Sequence, residues 1–438
     1  MSTRRTLGFT SATALVVANM VGTGVFTTSG FLLASLGNPV WVLAVWALGG
    51  LLAGLGALCY GSLARLLPES GGEYLFLSRT LHPAAGWLAG WVSLVVGFAA
   101  PVALNAHGFG EYLQSWFPAL GPKGLGTALI ILVSLQHWLS VREGARFQTF
   151  AVLFKIALIL GFVACAFFFG GPRWASLQQE LDQGGGLAAF GGGLILVSFS
   201  YAGYNAATYI GGEVRNPKKN LPWALLAGTA LVVLLYLTLN GLFLALAPAK
   251  ELSGQADVGR IAAASLDIPA AEVLISLLIA LALYTSASAM TMIGPRIYAQ
   301  MARDGWLWRG FLASEGPPRR AILLQSGLAL VMLWSSTFLQ LLSYVGFTLS
   351  LSSAATVFGL ILIRRRRGAE AVPVFGWPLA PLLFLAFTLY AAVSSILERP
   401  LSALLALLTL GVGFLLWWRL YADRSKVPGD GESTELES

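Results

Sequence analysis

The chain is poor in charge. Of its 438 residues only 11% are Asp, Glu, Lys or Arg, against 57% hydrophobic, and mean hydropathy is +0.75. A soluble domain carries about a quarter of its residues charged, so neither a set of soluble domains nor a disordered chain fits this balance. Cysteine is scarce as well. Cys59 and Cys165 both lie in apolar runs, which argues against a disulfide framework. The three histidines show no metal-ligand spacing, and neither a Walker sequence nor a nucleophile elbow is present, so nothing points to a metal, another cofactor or an ATP-driven pump.

Long charge-free sequence is what the chain has in abundance. A bilayer core of about 30 Å needs roughly 20 apolar residues per helix. Residues 6–64 carry no charge and are broken into two helices by Gly37-Asn38-Pro39. The intervals 80–110, 124–141, 183–212, 220–249, 273–295, 371–397 and 400–418 hold one helix each. Residues 321–363 accommodate two, turning near Gln340, and 147–172 hold one with a single charge, Lys155. The sequence therefore predicts an all-α polytopic membrane protein with 12 transmembrane helices.

The loops give its orientation. Of 27 basic residues, Lys123, Arg173, Lys250, Arg260 and Arg399 fall on one side and Lys155 lies within a span; the other 21 gather on the opposite side, with both termini. By the positive-inside rule that side is the cytoplasm, in a multi-pass protein of the inner (cytoplasmic) membrane. The isoelectric point near 9.5 thus reports topology and a lipid bilayer, not a nucleic-acid partner. The run Arg364 to Arg367 reads as a stop-transfer cluster, and several of the 14 tryptophans, such as Trp41, Trp87, Trp116, Trp306 and Trp377, suit an interfacial belt. Residues 1–6 are expected to be a cytoplasmic N-terminus rather than part of a signal peptide, because the following apolar stretch runs on to Leu36 without a cleavage site. Residues 422–438 are expected to form a disordered cytoplasmic tail.

Two helices carry interruptions. Helix 1 has Gly22-Thr23-Gly24 near its middle, and helix 6 has Ser198-Phe199-Ser200-Tyr201-Ala202-Gly203-Tyr204-Asn205. Most of the 50 glycines serve close helix packing, so neither site alone is decisive. Together they are informative, because five spans separate them and two five-helix halves, 7–172 and 183–363, then run in opposite senses. Residues 371–421 supply helices 11 and 12. Interruptions at matching positions of inverted halves are the sequence pointer to a transporter with a site at mid-membrane. Unwinding frees backbone groups that lipid cannot satisfy but a polar ligand can. The half-helix from Val25 to Leu36 aims amides and a partial positive charge at the membrane centre, which suits a carboxylate. Carbonyls near Met20, Val21, Phe199, Ser200 and Ala202 suit an ammonium. That pairing fits the backbone of an α-amino acid.

The segment Met20-Val21-Gly22-Thr23-Gly24-Val25-Phe26 resembles the unwound segment of the amino acid-polyamine-organocation (APC) superfamily. Phe199 to Asn205, with the following Gly212-Glu213-Val214-Arg215-Asn216-Pro217, resembles helix 6 and its loop in the L-type amino acid transporter branch. Pro68-Glu69-Ser70-Gly71-Gly72-Glu73-Tyr74 and Arg303-Asp304-Gly305 extend the likeness. The resemblance implies a LeuT-type fold, a 5+5 inverted repeat plus two helices, working by alternating access. It implies carboxylate-binding amides at Thr23 and Gly24, with Gly22 and Val25 beside them, and amine-binding carbonyls at Met20, Val21, Phe199, Ser200 and Ala202. Tyr201, Gly203 and Asn205 complete the expected substrate-binding set, and Phe199 falls where the family has its aromatic gate. Ala202 and Tyr204 stand where many of these transporters carry glycine and tryptophan, so side-chain specificity does not carry across.

A lysine in mid-helix is costly unless it faces protein or water. The resemblance implies that Lys155 contacts the unwound part of helix 1, near Gly22, with Ser286 and Ser288 of helix 8 close by, and takes part in coupling. His107 and His137 read as buried, carbonyl-bonded histidines. Glu213 with Arg215, and Arg296 with Arg303 and Asp304, read as solvated loop charges.

The expected function is secondary active transport of small or medium neutral L-amino acids, by exchange or proton coupling, since no charged side chain other than Lys155 lies within a span. A cationic amino acid or amine carrier, or an exporter, would use the same scaffold. An intramembrane enzyme would need a nucleophile beside a base, and no histidine has a carboxylate at suggestive spacing. A sensor would add a soluble signalling domain, for which no loop is long enough.

Overall fold

A bilayer offers an open backbone no hydrogen-bond partners, so apolar runs must close their own bonds as helices. The computed structural model describes residues 5–139, 144–171, 174, 177, 181, 185–266, 268, 271–312 and 317–421. Residues 1–4, Arg142, Arg173 and the expected tail 422–438 lie outside the described residues. The helices, in order, are α1 Phe9–Met20, α2 Gly24–Leu36, α3 Pro39–Leu66, α4 Gly72–Thr80, α5 Pro83–Val92, α6 Ala99–Leu113, α7 Gly121–Leu139, α8 Gly144–Phe169, α9 Leu187–Ser200, α10 Pro217–Leu246, α11 Ala249–Leu252, α12 Val258–Ala264, α13 Ala271–Arg303, α14 Arg319–Ser335, α15 Phe338–Arg367, α16 Leu379–Glu398 and α17 Pro400–Tyr421. A π-helical turn, Ser93–Gly97, joins α5 to α6, and a 3-10 helix, Ala206–Glu213, precedes α10. Among the described residues the only β pairing is a single parallel bridge between Leu7 and Val214.

Local chemistry sets the boundaries. At the first break Gly37 takes the left-handed conformation (φ 67°) that ends α2. Asn38 then caps α3, its side chain accepting from the Val40 amide at 2.8 Å, and Pro39 fills the first helical position. Between α14 and α15, Thr337 and Gln340 form a reciprocal capping box, so the turn expected near Gln340 falls at Ser336 and Thr337.

Nine helical stretches among the described residues are long and apolar enough to cross a membrane. The sequence predicts twelve spans. The stretches outside the nine are Gly121–Leu139, Leu187–Ser200 and Arg319–Ser335, of 19, 14 and 17 residues. Fourteen residues rise only about 21 Å, because the chain leaves α-helical geometry after Ser200.

The interior is filled by large side chains, including fully buried Trp46, Tyr60, Tyr201 and Tyr236. The outer faces are apolar. Phe168 and Leu187 are each 80% exposed, and α17 buries little besides Ser402, Ala403, Ala406 and Gly413. Such a surface is stable only against lipid, and the chain is a multi-pass membrane protein.

Glycines set how closely the helices approach. A Cβ on Gly110 of α6 would lie 2.0 Å from the Pro122 carbonyl oxygen of α7, whereas one on Gly161 of α8 would meet nothing within 4 Å. Gly110→Ala should therefore cost about 1–3 kcal/mol through overpacking. Gly161→Ala should be neutral or gain up to about 1 kcal/mol from helix propensity. Unfolding midpoints of the two variants in detergent should move in opposite directions, or only the first should fall.

Candidate functional site

Helix 1 is interrupted over Val21-Gly22-Thr23. Val21 leaves helical geometry (φ −77°, ψ 86°), and α2 restarts at Gly24. Helix 6 ends its α segment at Ser200, and residues 201–205 form a turn in which Gly203 has φ +105°. An L side chain rarely takes that conformation. The two interruptions press on each other. A Cβ on Gly203 would sit 2.9 Å from the Asn19 carbonyl carbon, and one on Gly24 would sit 2.3 Å from Ser200 Oγ and 2.8 Å from Ser200 Cα. Beyond the turn the chain resumes as the 3-10 helix, with non-helical dihedrals at Ile210, rather than as a second α segment. Gly211 and Gly212 are weak helix formers, and the loop before α4 crowds them: a Cβ on Gly211 would be 2.7 Å from the Glu69 carbonyl oxygen.

A cavity opens between the interruptions. Of the residues singled out in the sequence, Met20, Gly22, Thr23, Gly24, Phe199, Ser200, Tyr201, Ala202, Gly203, Asn205 and Ser286 line it. Val21, Val25, Lys155 and Ser288 do not. The first amides of α2, at Gly24 and Val25, have no acceptor inside the helix, and the helix start adds its positive end. The Thr23 amide is already engaged, donating to Asn105 Oδ1 at 3.1 Å; Asn105 is itself held by Pro101 O at 2.9 Å and Ser286 Oγ at 3.2 Å. Thr23 Oγ1 is buried without a partner. It faces α6, where a Cβ on Gly108 would lie 2.5 Å from it.

The carbonyls of helix 1 are also engaged. Tyr236 donates its hydroxyl to Met20 O at 2.5 Å, and Lys155 Nζ donates to Val21 O at 2.9 Å. Lys155 is 1% exposed, so its contact is with the interruption and not with solvent. The two serines of α13 part company. Ser286 joins Asn105 at the break, while Ser288 pairs with His137 Nε2 at 2.9 Å. Both histidines have the main-chain contacts expected of buried imidazoles, His137 at Ser288 and His107 at Leu333 and Ser336. Ser200 Oγ lies 3.0 Å from Thr28 Oγ1, and Tyr201 donates to Trp46 O at 3.1 Å.

Three residues at this site were not singled out from sequence. Asn105 and Tyr236 sit in apolar helices where one polar group gives no periodic signal. Glu73 sits in what reads as a loop between spans, yet α4 turns it inward to line the cavity, 4% exposed. Among the described residues it is the only charged side chain on the cavity wall. The sequence places Lys155 within a span, and Glu73 reaches the interior from α4, a nine-residue helix between spans.

At the end of helix 6, Glu213 pairs across to Arg296 of α13 at 3.7 Å rather than with its neighbour Arg215. Leu7 donates to Glu213 O at 3.0 Å and accepts from the Arg215 amide at 2.8 Å. The outer ends of helices 1 and 6 are tied to one another.

The profile of the amino acid permease family matches residues 7–415. The chain belongs to that family. The permease is 30% identical over 417 residues to the large neutral amino acids transporter small subunit 2 of Mus musculus, covering 91% of this chain and 77% of the relative. It is 29% identical over 421 residues to the Asc-type amino acid transporter 1 of Mus musculus (91% and 78% covered) and 26% identical over 415 residues to the mouse b(0,+)-type amino acid transporter 1 (91% and 84%). The match runs through both interruptions and on into α17.

Because Gly24 meets Ser200 backbone as well as side chain, Gly24→Ala in this permease must push the interruptions apart. Its unfolding midpoint should fall by the equivalent of about 1–3 kcal/mol, and Ser200→Gly added to it should recover part of the loss. Equal melting of Gly24→Ala and the wild type would contradict the close approach.

Proposed function

We propose that this permease is a secondary active transporter of small or medium neutral L-amino acids that works by alternating access. The carrying observation is the cavity between the two interruptions, with the start of α2 at Gly24 on its wall. The Gly24 amide takes the substrate carboxylate, with the Val25 amide behind it at the positive end of α2. The ammonium goes to carbonyls of the helix 6 turn at Ser200 and Ala202, since Tyr236 and Lys155 already donate to Met20 and Val21 and the Ala202 amide donates to Phe199. Phe199 closes over the occupant as the gate.

In this reading α1 with α2, α3, α5 with α6, α7 and α8 form one five-helix repeat, within 7–172. The segment 183–363 forms the inverted second repeat, and α16 and α17 lie outside both. The three shorter stretches complete twelve spans of a LeuT-type fold, with both termini in the cytoplasm and the protein in the inner membrane. Lys155 occupies a coupling position. Its bond to Val21 ties α8 to the break in helix 1, so that proton binding, or the exchange of one substrate for another, moves both.

The printed names of the relatives support amino acids as cargo, and one of them names large neutral ones. A basic substrate is the second reading, favoured by Glu73 on the cavity wall. Glu73 already accepts from four side chains, which leaves it poorly placed to receive a substrate cation, and the neutral class stands.

Purified permease should be stabilised by its substrates in a thermal-shift screen of all twenty amino acids, by about 2.7 kcal/mol at a hundred times Kd. Neutral amino acids should give the shifts, and shifts from lysine or arginine alone would favour the second reading. Lys155→Ala in proteoliposomes should lose at least about ten-fold in transport, as a buried charge-assisted bond is removed. Full transport with unchanged pH dependence would overturn its role.

A further inference from the structure

A carboxylate buried without a cation is stable only when its lone pairs are filled, and Glu73 fills them from three other parts of the fold. Its Oε1 accepts from the Tyr60 hydroxyl of α3, from Asn205 Nδ2 at 3.2 Å and from Ser353 Oγ of α15 at 3.3 Å; its Oε2 accepts from Ser352 Oγ. Burial pushes its carboxyl up, and the bonds from Ser352, Tyr60, Ser353 and Asn205 act the other way, as donors to an ionised carboxylate do. No Lys or Arg among the described residues pairs with it. The other titratable groups around it are hydroxyls, Tyr60 from α3 and Tyr204 and Tyr209 from helix 6. Tyr60 meets Tyr204 edge to face at 5.5 Å.

Asn205 is the partner that matters most, because it closes the turn that interrupts helix 6 and itself lines the cavity. Glu73 thus fixes the last residue of the helix 6 turn to α3 and α15 at once. On the same side of α4 the loop reinforces the junction, with Ser70 Oγ accepting from the Gly212 amide at 3.0 Å.

We propose that Glu73 is a positioning residue for transport: ionised, it pins Asn205 and so holds the wall of the cavity beneath the helix 6 turn, and the step that opens this wall parts Glu73 from Asn205. This rests on the transport reading above. A permease without the pin spends part of its time with the wall displaced, and apparent affinity falls by the fraction that is competent.

The test uses full-length protein in proteoliposomes loaded with the amino acid that gives the largest thermal shift. Glu73→Gln keeps the shape and removes the charge. Its KM should rise about ten-fold while Vmax changes less than about two-fold, and the amino-acid-induced thermal shift at fixed ligand should shrink. Glu73→Asp, which keeps the charge, should recover part of the KM. Because Glu73 acts through Asn205, the double variant Glu73→Gln with Asn205→Ala should be no worse in KM than the poorer single variant. An unchanged KM in Glu73→Gln, or additive effects in the double variant, overturns the role of Glu73 and leaves transport standing. A lowered melting temperature and yield with KM unchanged overturns it equally, as that is the signature of a merely structural carboxylate. Wild-type protein that transports none of the twenty amino acids overturns both readings.

Discussion

The close approach of two broken helices governs this molecule. In lipid a helix cannot stop without stranding amides and carbonyls, yet helix 1 stops at Met20 and helix 6 at Ser200. Both interruptions survive because each covers the other and neighbouring helices send in donors and acceptors. Asn105 takes the Thr23 amide, Lys155 the Val21 carbonyl and Tyr236 the Met20 carbonyl. These three arrive from α6, α8 and α10, so the breaks tie together helices that the loops alone would leave independent. Gly24 and Gly203 are the cost of that proximity, since neither position has room for a Cβ.

The fold was legible where chemistry acts locally. Charge-free length located the helices, and Gly37-Asn38-Pro39 located a turn because each residue does one thing there: a left-handed stop, a side-chain cap and a pre-set first position. The helix 1 interruption was legible only together with the one in helix 6, because glycines in an apolar run also serve close packing. The path after the helix 6 turn was not. The sequence reads as a helix running on to Gly212, but Gly203 bends the chain and the next turns are 3-10, packed so closely on the loop before α4 that a Cβ on Gly211 would lie 2.7 Å from the Glu69 carbonyl oxygen. That loop is 140 residues away in sequence, and no window of local pattern contains it.

The site was legible in outline and not in its partners. The resemblance placed Lys155 near the helix 1 break, and a 2.9 Å bond to Val21 O is what the structure has there. Ser286 and Ser288 look equivalent in sequence, yet two residues along a helix is a rotation of about 200°, which sends one to Asn105 and the other to His137. Glu73 escaped because its position between two spans reads as a solvated loop. Burial of a carboxylate is decided by how many donors converge on it, and Tyr60, Asn205, Ser352 and Ser353 come from three separate stretches of chain.

These bonds divide the polar groups of the helix 1 break into ones that are taken and ones that are free. The taken ones, the Met20 and Val21 carbonyls and the Thr23 amide, hold helix 1 in its broken form whether or not anything occupies the cavity. The free ones, the Gly24 and Val25 amides and Thr23 Oγ1, cluster at the start of α2. An anionic group bound there would draw on the same helix start that touches Ser200 and, through it, the helix 6 segment. The helix 6 segment runs on to Glu213, the last residue of the 3-10 helix, which bonds Leu7 ahead of α1 and Arg296 in α13. The two broken helices are thus joined twice, by the close approach of Gly24 and Gly203 at the cavity and by the Leu7 bonds to Glu213 and Arg215 at their outer ends.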